Sequence, residues 1–261
     1  MRGEDLLDLF GARSGIVCAV GAGGKKSVLQ RLAALHPGPV ALTATVLTPR
    51  LPTSLPVAQV VAEEPLLSER VRAAAARHPK VAYFAPSAKE GRLGGVSPAL
   101  VAQIHRTAGF AVTLVKADGA RMRWIKCPEE DEPRIPACAA TVIALLSARA
   151  IGEPLSERVA HRIDRIEAVS GGKRGEPLTP EQVARLMASE EGLMKGTGSA
   201  RVVPVINMVD DAEREALARQ AAEAALALTR RFDRVLLCRL RAENPLVGVV
   251  ARSRTGEETP P

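Results

Sequence analysis

The sequence has few aromatic residues, which make up 2% of its 261 positions. A core with so few rings must be built from Ala, Val, Leu and Ile. A surface with so few rings is also a poor platform for stacking unpaired bases. We therefore expect no nucleic-acid partner.

The chain also lacks a CxxC pair. Its cysteines are widely spaced, at Cys18, Cys127, Cys138 and Cys238. This spacing argues against a disulfide scaffold and against a structural zinc site, and we expect neither between Cys127 and Cys138. Cys127 follows Lys126 in a segment expected to be exposed, so we expect it to be the more reactive thiol.

Long apolar runs are absent too, since none approaches the ~18 residues of a membrane-spanning helix. The N-terminus carries Glu4, Asp5 and Asp8 in place of a basic start followed by an apolar stretch. These features predict a soluble cytoplasmic protein with no membrane partner. The net charge of +7 is spread along the chain, which is typical of solvated helix faces, and its positive field would help to recruit a phosphate-bearing ligand.

What is present is a globular composition, with 46% apolar and 25% charged residues. Short runs of Val, Ile and Leu alternate with helical stretches, which predicts an α/β fold with a mostly parallel sheet and helices on both faces. The strands are expected at residues 15–20, 40–46, 80–84, 110–116, 141–146, 201–206 and 234–240. The helices are expected at residues 26–35, 64–77, 98–107 and 211–230.

One region breaks this alternation, because residues 150–198 contain no convincing strand. Helices are expected there at residues 154–169, 180–189 and 190–195, as an insertion within a single domain over residues 1–250. Residues 251–261 are charged, end in two prolines and show no apolar period, so we expect a disordered tail.

The strongest local signal is a glycine-rich loop that follows a buried strand and opens a helix. Backbone N–H groups and the helix dipole converge on an anion at such a place. Glycine lets the backbone approach phosphate closely, lysine offsets phosphate charge, and a hydroxyl can hold Mg²⁺. The loop consists of Gly21, Ala22, Gly23, Gly24, Lys25, Lys26 and Ser27.

The loop matches a Walker A motif imperfectly. With Gly24 and Lys25 as the terminal pair, Ala19 replaces the first glycine and Lys26 replaces the hydroxyl residue. A Rossmann fingerprint fails as well, because it needs glycine at the position of Lys26. The loop could also be a glycine turn that only tightens a strand-to-helix connection, but its position, glycines and lysines together favour phosphate binding by a P-loop-NTPase-like fold.

Asp118 provides the second signal. It follows the apolar run at residues 111–115, and a carboxylate at the end of a buried strand orients Mg²⁺ or its water in P-loop proteins. An Asp-Gly pair after a strand is otherwise a common turn. Combined with the glycine loop, Asp118 is a candidate catalytic and metal-binding residue beside Lys25, with Ser27 as a second metal ligand.

Asn207 and Asp210, at another strand end, form the third signal. They resemble the Asn-Lys-x-Asp element by which GTPases read a base, with Met208 in the Lys position. The same residues could instead cap the helix that begins near Asp211. Both readings stay open.

A proline-rich polar segment at residues 121–136 is too irregular for a helix or a strand. Long loops of this kind are usually functional or mobile. His161, expected on the helix after Pro154, is a further catalytic candidate, although a lone histidine on an amphipathic helix is more often structural or solvated.

Taken together, these motifs resemble the YqeC family, the selenium-dependent hydroxylase accessory or selenium cofactor biosynthesis proteins. The similarity runs from about Leu6 to Asp210. Its most specific pieces are the glycine loop, Thr43 to Thr45, the turn at residues 117–120 with Lys126 and Pro128, Glu132 to Pro136, Gly152 to Leu155, His161 with Arg162, and Asn207 with Asp210.

The chain departs from this pattern at four positions. The family usually has a hydroxyl residue at Lys26, an acidic residue at Lys116, Thr at Ala44 and Lys at Met208. Each departure replaces a group that could contact phosphate, metal or base. The resemblance therefore implies nucleotide binding more firmly than hydrolysis.

The resemblance implies an ATP- or GTP-binding accessory protein, with Mg²⁺, that helps to mature selenium-dependent molybdenum hydroxylases. Its partner would be such a hydroxylase or a cofactor-modifying enzyme. A non-catalytic nucleotide sensor or scaffold is an alternative that Lys26 and Met208 favour. A small-molecule kinase is another, with His161 or Glu132 as the base.

Overall fold

A computed structural model describes the backbone of residues 3–252 and the side chains of residues 6–252. In this part of the chain helices and strands alternate, as the sequence predicts. The helices are α1 (Gly3–Leu9), α2 (Lys25–Leu35), α3 (Glu64–Ala75), α4 (Pro98–Thr107), α5 (Ile163–Ser170), α6 (Pro180–Ala188) and α7 (Ala212–Leu228). The strands are β1 (Gly15–Gly21), β2 (Val40–Ala44), β3 (Thr48–Pro49), β4 (Ala58–Val61), β5 (Lys80–Phe84), β6 (Arg92–Leu93), β7 (Val112–Lys116), β8 (Ile125–Lys126), β9 (Ala139–Ser147), β10 (Ala160–His161), β11 (Arg201–Asn207), β12 (Arg234–Cys238) and β13 (Leu246–Ala251).

The main sheet has nine strands in the order β13-β12-β11-β9-β1-β7-β2-β5-β4. All neighbours pair in parallel except β13, which runs antiparallel to β12. Strands β7, β2, β5 and β4 lie on one side of β1, and strands β9, β11, β12 and β13 lie on the other side. This reversal of strand order beside β1 leaves a crevice at the carboxyl ends of the strands, where open α/β sheets bind ligands.

Helices cover both faces of the sheet, which confirms the α/β prediction. Side chains alternate along β1, so Val17 and Ala19 pack with the residues of α1 and α2. Cys18 and Val20 face the other way and share a core with residues of α3 to α7. No helix within residues 3–252 is long and apolar enough to cross a membrane.

The region at residues 150–198 is less helical than expected. The helix predicted at 154–169 begins only at Ile163, because Arg162 has φ of 68° and interrupts the helical backbone. His161 therefore lies in β10, which pairs with β8, and the segment at 121–136 contains a short strand after all. Residues 190–195 form turns in place of a helix, and only α6 matches its prediction closely.

The sequence patterns also did not predict α1, β4, β13 or the two-residue strands β3 and β6. Strand β13 corrects the expected tail, because Ala251 pairs with Arg234 and the Arg252 N–H donates to Asp233 O at 2.8 Å. Edge strands bury little, so their side chains show no clear apolar alternation. The remainder of the expected tail, residues 253–261, lies outside the described residues.

Candidate functional site

The glycine loop lies between β1 and α2, at the crevice beside the reversal of strand order. Gly21, Gly23 and Gly24 have φ of 87°, 73° and 150°, a region that strongly favours glycine. A Cβ on Gly21 would lie 2.1 Å from Leu145 O. The path of the loop therefore requires glycine for conformation and for space.

The backbone N–H groups at the start of α2 point to no protein acceptor. Gly21 donates to Asp118 Oδ2 and Ala22 to Leu145 O, each at 2.8 Å. Among the described residues, none accepts a hydrogen bond from the N–H groups of residues 23–27. The loop thus presents a run of unpaired donors at the positive end of a helix.

The carbonyl groups of the three loop glycines are occupied. Gly21 O accepts from Lys25 Nζ, Gly23 O accepts from Asn207 Nδ2 at 2.6 Å, and Gly24 O accepts from the Val28 N–H at 3.1 Å. With the glycine carbonyls engaged and the N–H groups of residues 23–27 open, the loop favours an anion.

A buried ion cluster lies beneath the loop. Lys25 Nζ is 2.9 Å from Asp118 Oδ1, and Lys126 Nζ is 3.0 Å from Asp118 Oδ2. The side chains of Lys25, Asp118 and Lys126 are only 6%, 2% and 0% exposed. Burial lowers the pKa of the Lys25 ammonium, and the neighbouring carboxylate of Asp118 opposes that effect.

Glu132 links this cluster to the region beyond residue 150. Its Oε2 lies 2.6 Å from Lys126 Nζ and 2.5 Å from Arg162 Nη1. Burial opposes ionisation of Glu132, but hydrogen bonds from Arg162 and Lys126 lower its pKa to about 2. Arg162 also pairs with Glu129 at 2.8 Å, so β10 and the start of α5 are tied to the crevice.

Lys116 adds a third amino group near Asp118. It ends β7, in register with Ala19 of β1 and Ala44 of β2. Burial and the positive charge of Lys25 lower the pKa of Lys116 to about 8. Its Nζ has one acceptor, Leu47 O at 3.3 Å.

Sequence reasoning did not propose Lys116 or Lys126 as site residues, and it named Arg162 only together with His161. Lys126 lies eight residues after Asp118, across a turn, in strand β8, which pairs with β10 and places the lysine beside the carboxylate. The one sequence signal was the Lys and Pro pair at positions 126 and 128. A charged residue flanked by Ile125 and Cys127 in an otherwise polar segment could have marked a buried lysine.

The other predicted site residues lie at different distances from this cluster. Lys26 is exposed and Ser27 is half-buried, both in the first turn of α2. His161 is half-buried and lies in β10, in register with Lys126 of β8. Lys126 in turn pairs with Asp118. Burial, followed by the charges of Arg162, Lys126 and Arg121, lowers the pKa of His161 to about 4.

Asn207 reaches the glycine loop, whereas Asp210 does not contact it. The Asn207 amide donates to Gly23 O at 2.6 Å and accepts from the Leu240 N–H at 3.0 Å. Asp210 pairs with Arg149 at 2.6 Å. The capping reading is wrong, because Asp211 caps α7 by accepting from the Arg214 N–H at 2.8 Å.

The prediction for the reactive thiol is wrong as well. Cys127 is buried and its Sγ donates to Glu191 O at 3.2 Å, and burial raises its pKa. Cys138 is the exposed cysteine, and all four thiols are free. Within the described residues, no group of three or more His, Cys, Asp or Glu is placed to hold a metal ion.

A small cleft with a cavity volume of about 10 Å³ opens beside the ion cluster. Gly21, Asp118 and Lys126 form its polar side, while Pro133 and Leu193 form an apolar wall. A cavity of this size has room for roughly one water molecule. The cleft adjoins the glycine loop at Gly21.

The fold and this site define a class: an α/β protein with a doubly wound sheet and a glycine loop at its reversal of strand order. Comparison of the sequence with protein families is more specific. The model of the YqeC protein family matches residues 17–164, more than half of the chain, and the chain belongs to this family.

One relative is the uncharacterized protein YqeC of Escherichia coli (strain K12). It is 29% identical to this chain over 177 residues, which cover 67% of this chain. The match spans 65% of the length of that relative. The matched family region contains β1 from Val17 onward, the glycine loop, Asp118, Lys126 and His161.

Proposed function

We propose that this chain binds the phosphates of ATP or GTP at the glycine loop, as a P-loop-NTPase-like protein. The observation that carries the proposal is the polarity of the loop. Among the described residues, the N–H groups of residues 23–27 have no acceptor, while the carbonyls of Gly21, Gly23 and Gly24 are engaged. Such a helix N-terminus attracts phosphate through its donors and its dipole.

The charges around the loop support the same conclusion. Lys25, Lys116 and Lys126 surround one buried carboxylate, Asp118, and Glu132 already pairs with Arg162. A phosphate would supply the missing negative charge. Lys25 begins α2 and is therefore placed to move from Asp118 to a phosphate held by the loop.

Mg²⁺ fits this arrangement poorly. Ser27 and Asp118 are the residues proposed to hold it, but each Asp118 oxygen lies within 3.0 Å of an ammonium group. A divalent cation needs a carboxylate that is free to coordinate it, and nearby ammonium groups repel it.

For the biological role, we propose an accessory protein that helps to mature selenium-dependent molybdenum hydroxylases. Membership of the YqeC family and the placement of its motifs around one crevice support this role. Nucleotide binding would change the glycine loop, and Glu132 with Arg162 would transmit the change to β10 and α5, where a hydroxylase or a cofactor-modifying enzyme could dock.

A non-catalytic nucleotide sensor is the second candidate. The pairing of the carboxylates favours it, because Asp118 and Glu132 both neutralise cations and neither is free to act as a base. A kinase finds less support, since His161, with a pKa of about 4, is a weak base near neutral pH.

Calorimetric titration with ATP and GTP tests the proposal. Lys25→Ala should weaken nucleotide binding by about 1.5–3 kcal/mol, the range for hydrogen bonds to charged groups. Lys173→Ala, in an exposed loop between α5 and α6, is the matched control and should bind as the wild type does. If Lys25→Ala binds like the wild type, the loop is only a structural turn. A turnover assay on the same samples separates the enzyme from the sensor.

A further inference from the structure

We propose that Lys116 is an additional phosphate ligand, and that Lys25 and Lys116 together neutralise the nucleotide so that binding does not require Mg²⁺. This inference rests on the proposed nucleotide binding at the glycine loop. The two amino groups would offset the phosphate charge that a divalent cation otherwise offsets.

The position of Lys116 places its amino group on the side of the sheet that carries the loop helix. Side chains alternate along β7, so Lys116 shares a face with Val112 and Leu114. Those two residues pack in the same core as Val28 of α2. Lys116 is the last residue of β7, at the carboxyl edge of the sheet where α2 begins, and it is close enough to Lys25 for that charge to affect its pKa.

Lys116 is also available to bind a ligand. Its one protein acceptor is Leu47 O, at the long distance of 3.3 Å. Lys126, in contrast, has three close acceptors: Gly119 O at 2.7 Å, Glu132 Oε2 at 2.6 Å and Asp118 Oδ2 at 3.0 Å. Lys126 is therefore a structural cation, while Lys116 has donors to spare.

The structural role of Lys126 lets Lys25 leave its partner. When Lys25 moves to a phosphate, Asp118 keeps the Lys126 ammonium and the Gly21 N–H, at 3.0 and 2.8 Å. The buried carboxylate thus stays paired throughout binding. A metal ion at the Oδ1 that Lys25 leaves would be repelled by the Lys126 ammonium on Oδ2 of the same carboxylate, whereas a phosphate attracts both Lys25 and Lys116.

The experiment is calorimetric titration of the full chain with ATP, in excess EDTA and in excess Mg²⁺. The wild type should bind in both, with affinities that differ by less than about 10-fold. Lys116→Met, which keeps the chain length but removes the charge, should weaken binding in EDTA by at least about 10-fold. Lys116→Arg should retain binding in EDTA, and Lys116→Glu should bind only when Mg²⁺ is present.

The controls separate failure of this inference from failure of the proposed function. Lys173→Met removes an exposed lysine far along the chain and should leave the EDTA affinity unchanged. A wild type that binds only with Mg²⁺, or a Lys116→Met variant that binds in EDTA like the wild type, overturns the inference and leaves nucleotide binding intact. A wild type that binds ATP in neither buffer overturns both. Circular dichroism of each variant identifies any that does not fold.

Discussion

Asn207 holds the glycine loop through the carbonyl of Gly23, to which its Nδ2 donates at 2.6 Å. The other end of the same amide accepts from the Leu240 N–H at 3.0 Å, so one side chain fastens the loop to the ends of β11 and β12. Because the Gly23 carbonyl is held by Asn207, the loop exposes N–H groups at the crevice. Asn207 thus positions the loop. To read a base, as its sequence motif suggests, Asn207 would have to release both backbone groups.

Asn207→Ala should destabilise the fold and weaken nucleotide binding. The change leaves two buried backbone groups without partners, which costs about 1–3 kcal/mol in free energy of unfolding. Asn207→Asp keeps the acceptor for Leu240 but removes the donor to Gly23, so it should affect binding more than its loss of stability explains. Urea denaturation and ATP titration of both variants check this. If each variant loses binding only in proportion to its loss of stability, the role of Asn207 is purely structural.

Asp118→Asn should destabilise the protein by about 3–5 kcal/mol, the usual cost of removing one member of a buried ion pair. Lys25 and Lys126 would then lack their shared carboxylate. Inorganic phosphate should restore part of the loss, because it supplies a negative charge at the loop. Urea unfolding in phosphate and in chloride at equal ionic strength measures the effect. If phosphate stabilises the variant no more than it stabilises the wild type, this result argues against an anion site beside Lys25.

Cys138 should react with thiol reagents in the native protein, while Cys18, Cys127 and Cys238 should react only after unfolding. Cys138 is exposed, and burial raises the pKa of each of the other three thiols. Mass spectrometry after brief iodoacetamide treatment should find one labelled site, and Cys138→Ser should remove it. Labelling of Cys127 at a comparable rate would mean that the segment around it opens readily.

Glu132 should contribute to stability at neutral pH and lose that contribution in acid. Its pKa is lowered from an ordinary value of 4.5 to about 2, so the folded state favours the ionised form. The contribution is complete above pH 4.5 and disappears as the pH falls towards 2. The difference in free energy of unfolding between wild type and Glu132→Gln should therefore shrink from pH 6 to pH 2. Denaturant titrations across that range test this, and a constant difference would contradict it.

The sequence by itself determined the α/β class, the order of most helices and strands, and the position of the glycine loop. These depend on local patterns: apolar alternation, helical spacing and glycines between a buried strand and a helix. It also indicated that Gly21 and Asp118 follow neighbouring buried strands. In a parallel sheet both then lie at the carboxyl edge, and the 2.8 Å hydrogen bond between them agrees with that reasoning.

Only the tertiary structure decided which charges meet. Lys126 is adjacent to Asp118 because β8 pairs with β10, and the same pairing makes His161 part of a strand and buries Cys127. Asn207 reaches Gly23 across 184 positions of sequence. Contacts of this kind depend on how distant segments pack and on which backbone groups still need partners, and no local period encodes either. The sequence therefore predicted where the loop lies. Packing determined which charges meet there: the Asp118 carboxylate and the amino groups of Lys25, Lys116 and Lys126.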